Sequence, residues 1–199
     1  MFSIGPYREY AANLRYDVVT QGEEAMSWTD FYQRKDAIDL VLAQVRSNPG
    51  AGLPFDDLTE VKAQFGSREE LALALQYKWS QLLFGKLGVA LLDAEHNAEV
   101  DNLEAVTSAW RRTATEAPEL RGLLDAYVED AGPEFRAALA NERRMLAYAS
   151  GLAEFGEAAE ETARVGSAFL ALIRDTPDQQ RRRRCSSIEQ LIRRVVPST

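Results

Sequence analysis

The chain lacks the residues from which the commonest catalytic and structural devices are built. It has one cysteine and one histidine among 199 residues, which excludes an internal disulfide and a site with two histidine ligands. No apolar run approaches the roughly 18 residues that a membrane helix needs. Charged residues also interrupt positions 1–19, where a secretion signal would have its apolar core. We therefore expect a cytoplasmic protein with no membrane span.

Basic residues are outnumbered as well. The chain has 23 Lys and Arg against 31 Asp and Glu, a net charge of −8, and this balance opposes nonspecific DNA binding by the surface as a whole. A local basic patch can still bind a phosphate backbone. The hydrophobic content of 46% is ordinary for a soluble globular protein, and the length suits one domain, or one domain with a small appendage.

The single histidine, His96, gives little support to a metal or catalytic site. Its neighbours Asp93, Glu95 and Glu99 offer oxygen ligands, and Asp93 and His96 have the i, i+3 spacing that di-iron bundles use for a carboxylate and a histidine. Those bundles also need ligands from facing helices and a second histidine, which this chain does not have. We therefore expect a solvated acidic helix end here, with no metal, no cofactor and no enzymatic activity.

The strongest positive signal is a long helix over 67–96. Ser67 and Glu70 form a capping box, in which the Ser67 hydroxyl accepts from the backbone N–H of Glu70 and the Glu70 carboxylate accepts from the N–H of Ser67. Apolar residues then recur at spacings of three and four. This pattern predicts one continuous helix against which the later helices pack.

That helix is apolar around most of its circumference. Leu82, Val89 and Leu92 widen its stripe of leucines, so we expect burial on more than one side. Two glycines, Gly85 and Gly88, lie in its interior, where each costs about 1 kcal/mol relative to alanine. Their placement indicates close packing, a bend, or a ligand near the bared backbone.

Capping residues, prolines and apolar periodicity place the other helices, and no stretch has the clean period of two that is typical of a strand. The fold class that we predict is all-α, a helical bundle around one long central helix. Further helices are expected over 27–46, from Asp56 or Asp57, and from Asp101, Pro118, Pro133 and about Glu157.

The order of these elements divides the chain into four parts. They are an N-terminal appendage over 1–26, a reduced helical headpiece over 27–66, a helical bundle of ligand or dimerisation type over 67–176, and an Arg-rich tail with a short amphipathic helix over 177–199. Met26 precedes a strong helix start. A second hypothesis is therefore that translation begins there and that 1–25 do not belong to the natural protein.

Two sets of residues are candidates for function. Large apolar side chains at helical spacing can line a pocket for a small apolar ligand between helices, or simply form core. This pocket set is Trp79, Leu83, Trp110, Tyr127 and Tyr148. A run of arginines in the tail can contact a phosphate backbone, contact a protein partner, or remain a solvated tail. The run is Arg181, Arg182, Arg183 and Arg184.

The segment 65–71, Phe-Gly-Ser-Arg-Glu-Glu-Leu, resembles the junction at which the DNA-binding headpiece of TetR-family transcriptional regulators passes into their long linking helix. The segments 103–110, 117–120 and 135–146 are similar in order to the helices of that family's regulatory domain. The resemblance covers roughly 30–174. It implies a homodimeric helical regulator that senses a ligand.

On this resemblance, the dimer would form through 135–149 and 158–173, and DNA would be bound by a helix-turn-helix before the junction. Here that stretch holds a Pro/Gly loop and one short helix, and 56–60 is acidic, which repels phosphate. We therefore predict a TetR-like regulatory protein that senses a small apolar ligand or a partner, with DNA binding disfavoured. The alternative is a protein–protein interaction module that acts through its Arg-rich tail.

Overall fold

The structure, a computed structural model, describes residues 28–50, 52–97 and 100–175. Within them every regular element is helical, which confirms the all-α class, and none of these helices is long and apolar enough to cross a membrane. The predicted N-terminal appendage and Arg-rich tail lie outside the described residues. The helices are α1 (Trp28–Ser47), α2 (Thr59–Gln64), α3 (Arg68–His96), α4 (Asn102–Glu116), α5 (Pro118–Tyr127), a 3-10 turn (Val128–Asp130), α6 (Pro133–Ala149) and α7 (Ala159–Asp175).

The long helix α3 is unbroken over 29 residues. Ser67 caps it as predicted, since its hydroxyl accepts from the N–H of Glu70 at 3.1 Å. The Glu70 carboxylate makes a different bond from the one predicted: it accepts from the N–H of Gly66 at 2.8 Å and from the guanidinium of Arg34 at 2.8 Å. The return bond of the capping box is therefore shifted by one residue, because the carboxylate also binds α1.

The core surrounds α3 and extends from buried residues of α1 and α2 to the helices that follow α3. α3 packs on α4, α5 and α6, and α6 packs closely on α7. Leu75, Leu83 and Leu87 of α3 have almost no exposed surface. At Gly166 of α7 an added Cβ would overlap the carbonyl oxygen of Arg143 on α6, so these two helices need a glycine where they meet. A TetR-like arrangement of the helices stays a prediction.

The expected burial of α3 on more than one side holds only in part, because α1, α4, α5 and α6 contact the helix but leave several of its apolar residues exposed. Leu82, Val89 and Leu92 are 40%, 61% and 46% exposed. The described neighbours of α3 cover the face that carries Leu75 and Leu83, and they leave the opposite face open. The extra apolar residues therefore do not widen the core; they form part of the surface.

The start of α2 also differs from the prediction. Its N-cap is Leu58, which makes no side-chain capping bond, rather than Asp56 or Asp57. The reason is that the Asp56 carboxylate pairs instead with Lys62 at 3.2 Å and Arg68 at 3.5 Å. The other predicted starts are close to those observed, and α7 begins two residues after its expected position.

Candidate functional site

A carboxylate lies in the core of the bundle, where α3 and α6 face each other. The Glu142 side chain on α6 is 3% exposed. Each of its oxygens accepts a hydrogen bond from α3: Oε2 from Gln76 Nε2 at 2.6 Å and Oε1 from Trp79 Nε1 at 3.0 Å. Gln76 and Trp79 are three residues apart, so they lie on the same face of the helix. The two donors stabilise a charge that would otherwise be costly to bury.

A guanidinium accompanies this carboxylate. The side chain of Arg121 on α5 is 8% exposed, and its guanidinium carbon lies 4.9 Å from the centre of the Trp79 ring. Its Nη1 is 3.7 Å from Glu142 Oε1, while Nη2 donates to Asp125 Oδ1 at 2.8 Å. Arg121 therefore lies between two carboxylates and over the face of an indole, which attracts a cation.

Several polar atoms in this region have no hydrogen-bond partner among the described residues. They are Gln76 Oε1, Trp110 Nε1, and Nε and Nη1 of Arg121. All lie around Trp79, since the Trp110 ring meets that of Trp79 edge to face at 6.1 Å. Each unpaired buried polar atom costs about 1–3 kcal/mol. We name Gln76, Trp79, Trp110, Arg121 and Glu142 the core polar cluster.

The core polar cluster is connected to the surface through Asp125. Its Oδ1 also accepts from Arg174 Nη2 at 2.8 Å, so one atom binds Arg121 inside the bundle and Arg174 in the last turn of α7. The Arg174 guanidinium lies 5.5 Å from the centre of the Trp110 ring. The end of α7 is therefore held by contacts that involve members of the cluster.

The structure distributes the predicted pocket residues among separate contacts. Trp79 and Leu83 are fully buried on α3, and Trp79 contacts Trp110. Tyr127 packs edge to face on a phenylalanine of α6 at 5.1 Å, and burial raises the pKa of its hydroxyl. Tyr148 stacks on a phenylalanine of the α6–α7 loop at 4.5 Å. Two of the five thus belong to the cluster, and one pocket lined by all five stays a prediction.

Sequence reasoning missed three members of the cluster, Gln76, Arg121 and Glu142. Each is a polar residue at a position where helical spacing predicts an apolar one. Glu142, for example, follows Leu139 by three residues and precedes Leu146 by four, so it lies on the buried stripe of α6. A polar residue at an apolar position of a helical stripe is therefore the sequence signal from which these three residues could have been predicted.

A concavity lies away from the cluster, between the end of α1, the turn that follows it and α5. Its volume is about 440 Å³, its walls are mostly apolar, and its described lining includes none of the predicted pocket residues. Arg46 and Glu119 form a 2.8 Å ion pair within it, and the hydrogen bond from Arg46 lowers the pKa of Glu119. Because Arg46 and Glu119 already pair with each other, this groove offers a polar ligand fewer unpaired hydrogen-bonding groups than the core polar cluster does.

The remaining candidates from the sequence do not add a site. His96 ends α3, where its Nδ1 lies 2.7 Å from the carbonyl oxygen of Leu92. Within the part of the chain that the structure describes, no group of three His, Cys, Asp or Glu residues could hold a metal ion. Glu99 and the arginines 181–184 lie outside that part.

The headpiece gives no support to DNA binding. Between α1 and α3 the described residues form one helix, α2, which is six residues long. Its lysine, Lys62, faces the carboxylate of Asp56. A recognition helix presents free basic and polar side chains to the major groove, and α2 is too short and too acidic in its surroundings to do so.

Comparison with known proteins assigns the chain to no group. No family model matches it, and neither a curated protein nor a solved structure is significantly similar to it. The core polar cluster and the residues joined to it are therefore the basis for a function.

Proposed function

We propose that this protein is a non-enzymatic regulatory protein that senses a small molecule at the core polar cluster. The observation that carries the proposal is a set of polar atoms on Gln76, Trp110 and Arg121 that are buried around Trp79 and have no hydrogen-bond partner in the described part of the chain. Bundles bind small molecules between their helices, and the cluster draws its members from α3, α4, α5 and α6. The resemblance to TetR-family regulators favours sensing over catalysis. DNA contact through α2 is not part of the proposal.

A purely structural role explains the core polar cluster poorly. Buried ion pairs are seldom more stabilising than well-packed apolar side chains of the same size, and each unpaired buried atom costs about 1–3 kcal/mol. Apolar residues at these positions would hold α3, α5 and α6 together with less loss of stability. Polar groups that persist in a core against such a cost are typical of binding sites.

The unpaired atoms define the kind of ligand. Among the described residues, Trp110 Nε1 and Arg121 Nε are donors without an acceptor, whereas Gln76 Oε1 is an acceptor without a donor. Arg121 already has Asp125 and Glu142 beside it, so an anionic ligand would bring a third negative charge next to a single guanidinium. We therefore propose an uncharged ligand with an apolar body, an oxygen acceptor for the donors and an N–H or O–H group for Gln76.

Binding at the cluster would reach the surface through Asp125. A ligand oxygen that accepts from Arg121 Nε would share the guanidinium with Asp125, which accepts from Nη2 and also holds Arg174 at the end of α7. Occupancy of the cluster would therefore change how firmly the last turn of α7 is held. A sensor requires such a difference between its free and bound states.

Thermal shift measurements with three probes test this proposal. Benzamide is uncharged and has both an acceptor and an N–H group, benzoate replaces the amide with a negative charge, and toluene has neither. For a probe with a Kd near 1 mM, a concentration of 10 mM stabilises by about 1.4 kcal/mol, which raises Tm by about 3–6 °C for a chain of this size. We expect benzamide to raise Tm more than benzoate or toluene.

Two variants show whether the effect arises at the cluster. Trp110→Phe keeps a ring and removes the unpaired donor, and Gln76→Leu removes the unpaired acceptor, so each should at least halve the benzamide shift. Arg164→Gln removes a surface ion pair with Glu161 on α7 and should leave the shift unchanged. The proposal is wrong if benzamide gives no shift, if the three probes act equally, or if the shift survives both cluster variants.

A further inference from the structure

The outer face of α3 carries a line of apolar residues that no described part of the chain covers. Leu82, Val89 and Leu92 are 40%, 61% and 46% exposed. Together with Gly85 they recur at spacings of three, four and three, which is the spacing by which two helices pack side by side. Exposed apolar patches on a protein surface are typical of interaction sites. We name Leu82, Gly85, Val89 and Leu92 the α3 seam.

One glycine, Gly85, belongs to the seam, and a second, Gly88, lies beside it. A glycine inside a helix costs about 1 kcal/mol relative to alanine, because it loses more backbone freedom on folding. A Cβ built at Gly85 or Gly88 meets nothing within 4 Å, so no neighbour in the described chain requires a missing side chain at either position. The glycines leave the outer backbone of α3 uncovered by side chains beside Val89, so another helix can approach it closely.

We propose that the α3 seam packs antiparallel against the α3 seam of a second copy of this chain. A two-fold axis at the level of Leu87 pairs Leu82 with the partner's Leu92 and Val89 with the partner's Gly85. In this register the Val89 side chain enters the space left by the glycine, and the leucines cover it at both ends. The seam is therefore complementary to itself, as a two-fold interface requires.

The charges of α3 favour the antiparallel direction. Lys78 and Lys86 lie in its middle, whereas Asp93 and Glu95 lie near its end. An antiparallel pair keeps the two acidic ends apart and places each near the basic part of the other copy, while a parallel pair would bring four carboxylates together. Both lysines already pair with carboxylates of their own chain, so the separation of the acidic ends is the larger effect.

The length of the seam sets the expected strength of the dimer. From 82 to 92 it extends about 15 Å along the helix, so it buries less than the roughly 800 Å² per partner of a standard stable interface. We expect a reversible dimer with a Kd on the order of 10–100 μM. The dimer face implied by the TetR-like resemblance is a different surface, on α6 and α7, where Leu172 is 66% exposed.

Sedimentation velocity over a range of concentrations of the full chain tests the seam without any ligand. Val89→Glu places a charge at its centre and should weaken dimerisation at least tenfold. Leu172→Glu makes the same chemical change at an equally exposed apolar position on α7 and should leave the Kd unchanged. Circular dichroism and Tm check that both variants fold. A chain that stays monomeric at 1 mM, or a dimer lost in Leu172→Glu and kept in Val89→Glu, overturns the proposal.

Disulfide cross-linking tests the direction of packing. In a Cys185→Ser background, a chain with both Gly85→Cys and Val89→Cys should form a covalent dimer under mild oxidation, because the two positions face each other across the axis. Val89→Cys alone should cross-link at least tenfold more slowly, since the two copies of that residue do not meet. Rapid cross-linking of Val89→Cys alone would show parallel packing and contradict the proposal. Neither result bears on the ligand site, which lies on the inner face of α3.

Discussion

Replacing Glu142 by leucine should destabilise the protein, although leucine is the more apolar residue. The change leaves Gln76 Nε2 and Trp79 Nε1 without their acceptor, and it leaves Arg121 with Asp125 as its remaining carboxylate. Removing one partner of a buried pair costs about 3–5 kcal/mol, against a typical total stability of about 5–15 kcal/mol. We expect Glu142→Leu to lower the free energy of unfolding by about 3–5 kcal/mol.

Combining Glu142→Leu with Gln76→Leu and Arg121→Met should restore most of that loss. The three changes remove Glu142 together with Gln76 and Arg121, and Asp125 keeps its bond from Arg174. Trp79 Nε1 is the one donor of the original bonds to Glu142 that stays unpaired, at a cost of about 1–3 kcal/mol. Apolar replacement of a whole buried ion pair is commonly neutral or stabilising by about 1–4 kcal/mol. The combined variant should therefore lie within about 1–2 kcal/mol of the wild type, and it should no longer respond to benzamide.

Urea denaturation, followed by circular dichroism and by tryptophan fluorescence, measures both effects. Coincident transitions and an unchanged m-value show that unfolding remains two-state. Glu161→Leu, at an exposed position on α7, is the matched control and should change the free energy of unfolding by less than about 0.5 kcal/mol. A cost below about 1 kcal/mol for Glu142→Leu, or a combined variant less stable than the single one, would refute the reasoning.

Further predictions concern individual contacts. Asp125→Asn should speed amide hydrogen exchange in the last turn of α7, because a neutral amide binds Arg174 less strongly than a carboxylate does. Unchanged exchange would show that the bond between Asp125 and Arg174 does not stabilise the end of the helix. Gly166→Ala should lower the free energy of unfolding by about 1–3 kcal/mol, since the added methyl group overlaps the α6 backbone. Gly88→Ala should raise it by up to about 1 kcal/mol, because alanine favours the helix and nothing lies within 4 Å of the added Cβ. If urea denaturation gives effects of the same sign for both variants, the close contact of α7 with α6 at Gly166 is contradicted. Hydrogen bonds from Lys35 and a second lysine lower the pKa of Asp39 from its ordinary 3.8. This carboxylate therefore adds stability above that pH, which is lost as the pH falls through the lower folded-state pKa. Asp39→Asn should make stability less pH-dependent below about pH 4, and an unaltered profile in urea titrations would count against the ion pair.

The starts of several helices could be predicted because their causes are local. Ser67 and Asp101 each accept from the N–H three residues further on. Pro118 and Pro133 open α5 and α6, where a proline has no hydrogen bond to lose. All the chemistry that decides these positions lies within one turn of helix.

The site could not be predicted because its members meet only in the folded chain. Gln76 and Glu142 are 66 residues apart in sequence. That each is polar on an apolar stripe is visible in the sequence, but which partner it meets depends on how α3 packs against α6. The same holds for Val89, which is 61% exposed: apolar character does not determine burial, and the neighbouring helices decide which face they cover.

An amphipathic helix ordinarily has apolar residues on its buried face and polar residues on its exposed face. α3 departs from this pattern on both faces. Its inner face has Gln76 bonded to a buried carboxylate, and its outer face has Val89 and Leu92 in water. Each departure lowers the stability of the isolated monomer, and on the two proposals each is relieved by a molecule outside the chain. Inside the bundle that molecule is a ligand, and on the seam it is a second copy.

A variant with an apolar core and a polar outer face on α3 tests whether a ligand and a second copy explain the two departures. It combines the three apolar changes in the core polar cluster with Val89→Gln and Leu92→Gln on the seam. We expect such a chain to remain monomeric at all concentrations, to give no benzamide shift, and to unfold in urea within about 2 kcal/mol of the wild type, because an isolated monomer prefers an apolar core and a polar surface. A larger loss of stability would mean that the fold itself requires the buried charges and the exposed apolar residues, and neither a ligand nor a partner would then be needed to explain them.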